Sequence, residues 1–255
     1  MKLAHLLLTG LVGLIAACGG GGSSVTTSVS GAIVKGPVNG ATVTFKRPDG
    51  SVIATTTTNS TGAYSLALSY SGDLVIEASG GTYLDEATGT TTTLATPMKA
   101  VLTANGGSVT GMVTPLTTMA YTYAFPSGSA VTASGFNSMA SKVAAQFKLP
   151  GVNLVSTLPN VTGTPNDYGK VLAAVSQYLK DNPVGLAALI NTSFNTAQWA
   201  SFSTAFSTAY ATAVPGSAIT FSFDGSAFSI GGTGAGGGSG TCGVAASGTV
   251  TTGNI

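Results

Sequence analysis

The hydrophobic periodicity of this 255-residue chain changes once, near residue 110, and that change constrains the fold more than any other feature. Before it, apolar residues alternate with polar ones, as Val43 and Phe45 do with their Thr and Lys neighbours. After it, apolar residues recur at helical spacing, as Leu116 and Met119 do. Alternation is typical of half-buried strands, and recurrence every three or four residues is typical of amphipathic helices. The sequence therefore predicts an α+β chain of several domains, with strands preceding helices.

Residues 28–105 are predicted to form a small antiparallel β-sandwich. Strand-forming runs recur roughly every ten positions, and turn sequences rich in Gly, Pro, Asn and Asp separate them. The runs are 41–46, 51–58, 63–68 and 73–79, and the turns are 36–40, 47–50, 59–62 and 80–81. Short strands with such regular turns favour a two-sheet sandwich over a parallel sheet.

Residues 110–214 are predicted to form a helical bundle. Thr114 followed by Pro115 is typical of a helix N-terminus, and Asn166 is expected to cap a later helix that Lys180 stabilises at its C-terminus. The predicted helices are 114–126, 133–148, 166–180, 183–190 and 196–213. About 100 residues of amphipathic helices suffice for an independent bundle.

The remaining residues, 215–255, are predicted to return to β-structure. Ile219, Phe221 and Phe223 alternate with polar residues up to Asp224 and Gly225, and such a dipeptide favours a tight hairpin. A Gly-rich stretch over 231–240 then predicts a flexible loop. We expect a β-hairpin followed by a Gly-rich tail.

The first seventeen residues have the pattern of a secretory signal, with a basic start and a short apolar run. The run is too short for a membrane-spanning helix, which needs about 20 apolar residues. The small residues before Cys18 resemble the bacterial lipobox. That resemblance implies cleavage after Ala17, diacylglycerol and an acyl chain on Cys18, and delivery to the outer membrane or cell surface. Residues 18–27, rich in Gly and Ser, would form the flexible tether. The alternative is an ordinary signal peptide with an incidental Cys.

A second resemblance rests on the turn sequences of the strand region. Gly36-Pro37-Val38-Asn39-Gly40, Asp49-Gly50 and Asn59-Ser60-Thr61-Gly62-Ala63-Tyr64 resemble the carboxypeptidase regulatory-like family of transthyretin-type sandwiches. The resemblance covers about 75 residues, less than a third of the chain. It implies a surface module used for adhesion, carbohydrate binding or spacing, without catalytic residues. The helical region is similar to that of uncharacterised environmental lipoproteins, and no activity follows from that likeness.

The charge inventory excludes several classes of function. Only 7% of the chain is charged, where an ordinary domain carries about a quarter. Removing residues 1–17 leaves eight basic residues, eight acidic residues and no histidine. Without imidazole, triads of the serine-protease kind and the common zinc sites cannot form. Without a basic cluster, nucleic-acid binding lacks its electrostatic driving force. We expect no cofactor, no metal and no enzyme activity, with a carboxylate-based enzyme as a remote alternative.

Asp85 and Glu86 are the adjacent carboxylates such an enzyme would use. Neighbouring residues in a strand point to opposite faces, so we do not expect both to act on one bond. A solvated sheet edge is the favoured interpretation. A second hypothesis is a self-made covalent cross-link, which similar surface sandwiches form between a Lys and an Asn beside an acidic residue. The candidates here are Lys35, Glu77 and Asn105. The simpler interpretation is a solvated Lys, an exposed Glu and a loop Asn.

Two further features leave alternatives open. Cys242 could form a disulfide or remain a free, buried thiol. Trp199, Phe202, Phe206 and Tyr210 could line a sugar-binding face, but their helical spacing favours a place in the bundle core. Together these patterns predict a lipid-anchored surface protein that binds a polysaccharide or an envelope protein. The alternative is an accessory lipoprotein subunit of an envelope or secretion assembly.

Overall fold

The protein contains both α-helices and β-sheets, in the order that the periodicity predicts. The computed structural model describes residues 25–126, 129–192, 196–217 and 219–223. Within these residues, nine strands precede five α-helices. The predicted signal sequence, Cys18, Cys242 and most of the predicted tail lie outside the described residues.

The strands form three sheets. Their bounds are β1 Thr27–Ala32, β2 Thr42–Lys46, β3 Val52–Thr57, β4 Ala63–Leu68, β5 Gly72–Ser79, β6 Thr82–Leu84, β7 Thr91–Thr93, β8 Met98–Ala104 and β9 Gly107–Thr110. The strand orders are β4-β1-β9, β3-β2-β5-β8 and β6-β7. All pairs are antiparallel except β1 with β9, which is parallel. The expectation of purely antiparallel strands is wrong for that pair, because β9 follows the predicted boundary at residue 105 and lies parallel to the first strand.

The two larger sheets contact each other through buried side chains. Phe45 of β2 meets Tyr64 of β4 edge to face, with ring centroids 5.8 Å apart. The Tyr64 hydroxyl donates to the carbonyl oxygen of Gly111 at 2.6 Å, and burial raises the pKa of that phenol. Gly111 fits closely here, because a Cβ at this position would lie 2.6 Å from the end of the Ile76 side chain, which would have to shift. The chain after β9 thus crosses closely over the interior of the sheets.

Local sequence sets the helix boundaries. The helices are α1 Pro115–Ala124, α2 Ala133–Gln146, α3 Asp167–Asp181, α4 Gly185–Thr192 and α5 Trp199–Ala213, with a short 3-10 helix at Thr196–Gln198. Thr114 caps α1 in a capping box with Thr117, and Asn166 caps α3, both as predicted. Among the described residues, none of these helices has the length and apolar character that crossing a membrane requires.

Strands and helices share one buried core. Leu102 of β8, Met119 of α1 and Phe136 of α2 belong to the same continuous hydrophobic cluster. Polar contacts join the same elements: the Asp73 carboxylate of β5 accepts from the first amide of α2 at 2.8 Å, and the Thr118 hydroxyl of α1 accepts from the Lys99 amide of β8 at 3.0 Å. The first two helices are therefore fixed against the four-stranded sheet.

The described start of the tail lies along α5 rather than in a sheet. Phe221 and Phe223 are buried, as their alternation predicts, but Ile219 is 43% exposed. The amides of the two Phe residues donate to the hydroxyls of Ser207 and Ser203, each at 2.9 Å. Helix side chains thus take the place of a partner strand over residues 221–223, and the second half of the predicted hairpin lies outside the described residues.

Candidate functional site

A pocket lies between the two-stranded sheet β6-β7 and helices α3 and α4. Its volume is about 310 Å³, at the lower end of the range typical of ligand sites. We call it the hairpin pocket. Its lining contains residues that bear hydroxyl groups, two lysines, an aspartate, and apolar groups that form most of its surface. The residues that bear hydroxyls are Tyr83, Thr88, Thr90, Thr92, Thr93, Thr96 and Ser176.

The turn between β6 and β7 is ordered by the side chain of Asp85. Its Oδ1 atom accepts from the amides of Ala87 and Thr88 at 3.1 and 3.0 Å and from the Thr88 hydroxyl at 3.2 Å. Its backbone amide also donates to the Thr90 carbonyl at 3.0 Å. These bonds close the turn through Oδ1. The other carboxylate oxygen, Oδ2, remains available to a side chain from the segment that follows β1.

Lys35 reaches this turn from the segment that follows β1. Its Nζ atom donates to the Tyr83 hydroxyl at 2.7 Å and to Asp85 Oδ2 at 3.4 Å. The side chains of Lys35 and Asp85 are only 6% and 11% exposed. The next residue, Gly36, has a φ of 69°, and a Cβ there would lie 2.4 Å from the Leu84 carbonyl oxygen. A glycine at this position lets the turn approach β6, which brings the Lys35 ammonium to the pocket floor.

Two contacts attach the β6-β7 turn to α3. The Ser176 hydroxyl donates to Glu86 Oε2 at 2.9 Å, and the Lys180 ammonium donates to the Ala87 carbonyl at 2.9 Å. The other oxygen of Glu86, Oε1, is buried without a hydrogen-bond partner among the described residues. Burial raises the pKa of the Glu86 carboxyl, because the charged form is poorly solvated there.

The expectation that Asp85 and Glu86 form a solvated edge is wrong for Asp85, which is 8% exposed. The two carboxylates do take different partners, Lys35 for one and Ser176 for the other. The physical reason is that Lys35 approaches Asp85 from the segment after β1 and that α3 contacts the same turn through Glu86 and Ala87, neither of which a strand pattern alone reveals.

The three residues of the cross-link hypothesis have separate surroundings. Lys35 is buried beside Tyr83 and Asp85 rather than solvated. Glu77 pairs with Lys46 and Lys99 at 2.8 and 3.2 Å. Partial burial alone would raise the pKa of Glu77, but hydrogen bonds from these two lysines outweigh it and lower that pKa. Asn105 is exposed in the turn before β9.

The aromatic residues of α5 belong to the interior. Phe202, Phe206 and Tyr210 are at most 3% exposed, and Phe206 packs edge to face against Phe147 at 5.1 Å. Their predicted place in the core is confirmed. Trp199 is half-buried against the same cluster.

The arrangement in the hairpin pocket suits binding by hydrogen bonds. Hydroxyls can both donate and accept, and lysine ammonium groups donate to oxygen acceptors. No group of three His, Cys, Asp or Glu residues that could hold a metal ion occurs within the described ranges. A comparison of the chain with protein-family models and with curated proteins finds no match.

Sequence reasoning missed Tyr83, Ser176 and Lys180 as pocket residues. The one local signal was the density of threonines between residues 88 and 96, which indicated a hydroxyl-rich surface. The lysine and serine lie on a helix whose periodicity predicts only which face is buried. Their role depends on which strand pair packs against that helix.

Proposed function

We propose that this chain is a lipid-anchored surface protein that binds a carbohydrate of the cell envelope in the hairpin pocket, without catalysis. The observation that carries the proposal is a pocket of about 310 Å³ whose lining combines hydroxyl-bearing residues with a larger apolar surface that includes Leu179 and Leu186. Sugars offer many hydroxyls together with apolar ring faces. A pocket with both kinds of lining matches that chemistry.

The anchor part of the proposal rests on the sequence. Cys18 follows a lipobox-like run, and β1 begins at Thr27. A chain of eight residues therefore separates the lipidated position from the first strand. Such a short Gly/Ser-rich segment would hold the folded part near the membrane that carries the lipid.

We also infer that the two larger sheets form a β-sandwich of the carboxypeptidase regulatory-like type and that the helices form a bundle. The contact between Phe45 and Tyr64 supports the sandwich. The buried contact of the Tyr123 hydroxyl in α1 with the Ile190 carbonyl in α4, at 2.9 Å, supports the bundle. The hairpin pocket would then lie where the two units meet.

A glycan array probed with the mature chain tests the function. Filling the pocket with Thr92→Tyr should abolish binding, because Thr92 pairs with Tyr83 and shares its pocket face. Thr91→Tyr is the matched control, since Thr91 pairs with the exposed Leu84 on the opposite face.

Retained binding in Thr92→Tyr would place the glycan elsewhere and contradict the assignment of the pocket. A chain that binds no glycan but co-purifies with one stoichiometric membrane protein would instead favour the accessory-subunit alternative.

A further inference from the structure

The ammonium group of Lys35 has a hydrogen-bond donor to spare. A lysine ammonium carries three N–H donors. One goes to the Tyr83 hydroxyl and a second to Asp85. Across the part of the chain that the structure describes, no third acceptor lies within bonding distance of Nζ. The Lys35 side chain is only 6% exposed, but it lines the hairpin pocket. The third donor is therefore available to a ligand inside the pocket.

The positive charge of Lys35 is also incompletely balanced. Ammonium and carboxylate groups that pair well lie about 2.7–2.9 Å apart, whereas Nζ and Asp85 Oδ2 are 3.4 Å apart. The other oxygen of Asp85 already accepts three hydrogen bonds from its own turn. A buried charge that is loosely paired gains from a closer counterion.

A second ammonium lies at the rim of the pocket. Lys180 is exposed, and within the described ranges its ammonium donates one hydrogen bond, to the Ala87 carbonyl. The charged residues that line the pocket are therefore Lys35, Lys180 and Asp85, which leaves one positive charge in excess. Glu86 contacts α3 beside the pocket and does not line it, but its carboxyl lies close enough to Lys35 for the two groups to interact electrostatically.

We infer that the ligand of the hairpin pocket is an anionic sugar, whose carboxylate or phosphate group accepts from Lys35 and Lys180. The hydroxyls of the pocket would bind the hydroxyls of the sugar ring. This inference rests on the proposed function and specifies the ligand class of the same site.

The primary test compares three ligands that share one ring: glucuronate, its methyl ester and glucose 6-phosphate. Each is titrated into the unaltered mature chain at low ionic strength, and binding is followed by calorimetry or NMR. At least one of the two anions should bind about tenfold more tightly than the ester, as a charge-assisted hydrogen bond is stronger than a neutral one. Whether glucuronate or glucose 6-phosphate binds more tightly distinguishes a carboxylate from a phosphate source.

The variants separate the two ammonium groups. Lys180→Met changes an exposed side chain and should weaken anion binding several-fold while leaving the ester unaffected. Lys142→Met, on α2 and outside the pocket lining, is the matched control and should change neither. The double variant Lys35→Met, Asp85→Asn removes the Lys35–Asp85 ion pair without leaving a buried charge. It should abolish the preference for the anions over the ester. Circular dichroism establishes that each variant is folded.

Equal affinity for the ester and both anions would overturn the inference and leave carbohydrate binding intact. Binding of neutral glycans alone on the array, with no affinity for either anion, would overturn it as well. Failure of every glycan to bind would overturn the proposed function together with this inference.

Discussion

Separating Lys35 from Asp85 tests whether a buried ion pair holds the floor of the hairpin pocket. At 3.4 Å, and with an effective dielectric constant of about 20, two unit charges attract by about 5 kcal/mol, and the desolvation of both groups offsets much of this. Lys35→Met removes the attraction but leaves the aspartate buried. Removing one partner of such a pair costs about 3–5 kcal/mol in unfolding free energy. We expect about 3 kcal/mol, because Asp85 Oδ1 keeps its three hydrogen bonds.

The assay is urea denaturation of the mature chain, followed by far-ultraviolet circular dichroism, for Lys35→Met, Asp85→Asn and the double variant. The double variant should lose much less stability than the two single losses added together, since it leaves no unpaired charge. Lys170→Met is the control, because its partner Asp167 is exposed and we expect no measurable change. A loss below about 1 kcal/mol for Lys35→Met, or additive losses in the double variant, would refute the reasoning.

Four further perturbations probe other parts of the structure. Tyr168→Phe removes a buried hydroxyl that lies 2.7 Å from the cap residue of α1, and it should lower the unfolding free energy by about 1–2 kcal/mol in urea titrations. Glu86→Gln should gain stability relative to the unaltered chain as pH rises. The raised pKa of the Glu86 carboxyl stabilises the fold below its ordinary value of about 4.5, and that contribution is lost as pH rises through the raised pKa. Glu77→Gln should do the opposite, losing stability near neutral pH and matching the unaltered chain in acid, because Glu77 has a lowered pKa. Urea denaturation midpoints measured across a range of pH test the Glu86 and Glu77 predictions. Ser207→Ala should speed hydrogen exchange of the tail amide that it binds about tenfold, and Thr204→Ala should not.

Local features of the fold could be predicted because their partners are close in sequence. Thr114 caps α1 by a bond to an amide three residues away, and Asn166 does the same for α3. A sequence pattern of four residues contains both the cap and its target. The strands β2, β4 and β5 were found for a similar reason, since alternation is a property of each strand alone.

The pocket could not be predicted because its residues meet only through long-range packing. Lys35 is 48 residues from Tyr83 and 50 from Asp85. The strands β6 and β7 are three residues long, too short for a period of two to be recognised. The exposure of Asp85 was predicted wrongly for the same reason, since nothing near it in sequence indicates that α3 covers the turn.

The tail shows how one pattern can serve two structures. Alternation of Phe221 and Phe223 predicted a strand, and both side chains are indeed buried. Their amides bond to serines on consecutive turns of α5, which have the same role as a neighbouring strand. Period two therefore identified the buried face correctly but not the element that covers it.

The most direct test of the central claim is a chemical-shift map of the isotopically labelled mature chain, titrated with envelope glycan purified from the source cells. The account predicts that the shifted amides cluster at Tyr83, Thr92, Ser176 and Leu186, around the hairpin pocket. Shifts that cluster instead around Tyr121 and Phe125, which line a separate pocket beside α1, would contradict it, and so would the absence of shifts at saturating glycan.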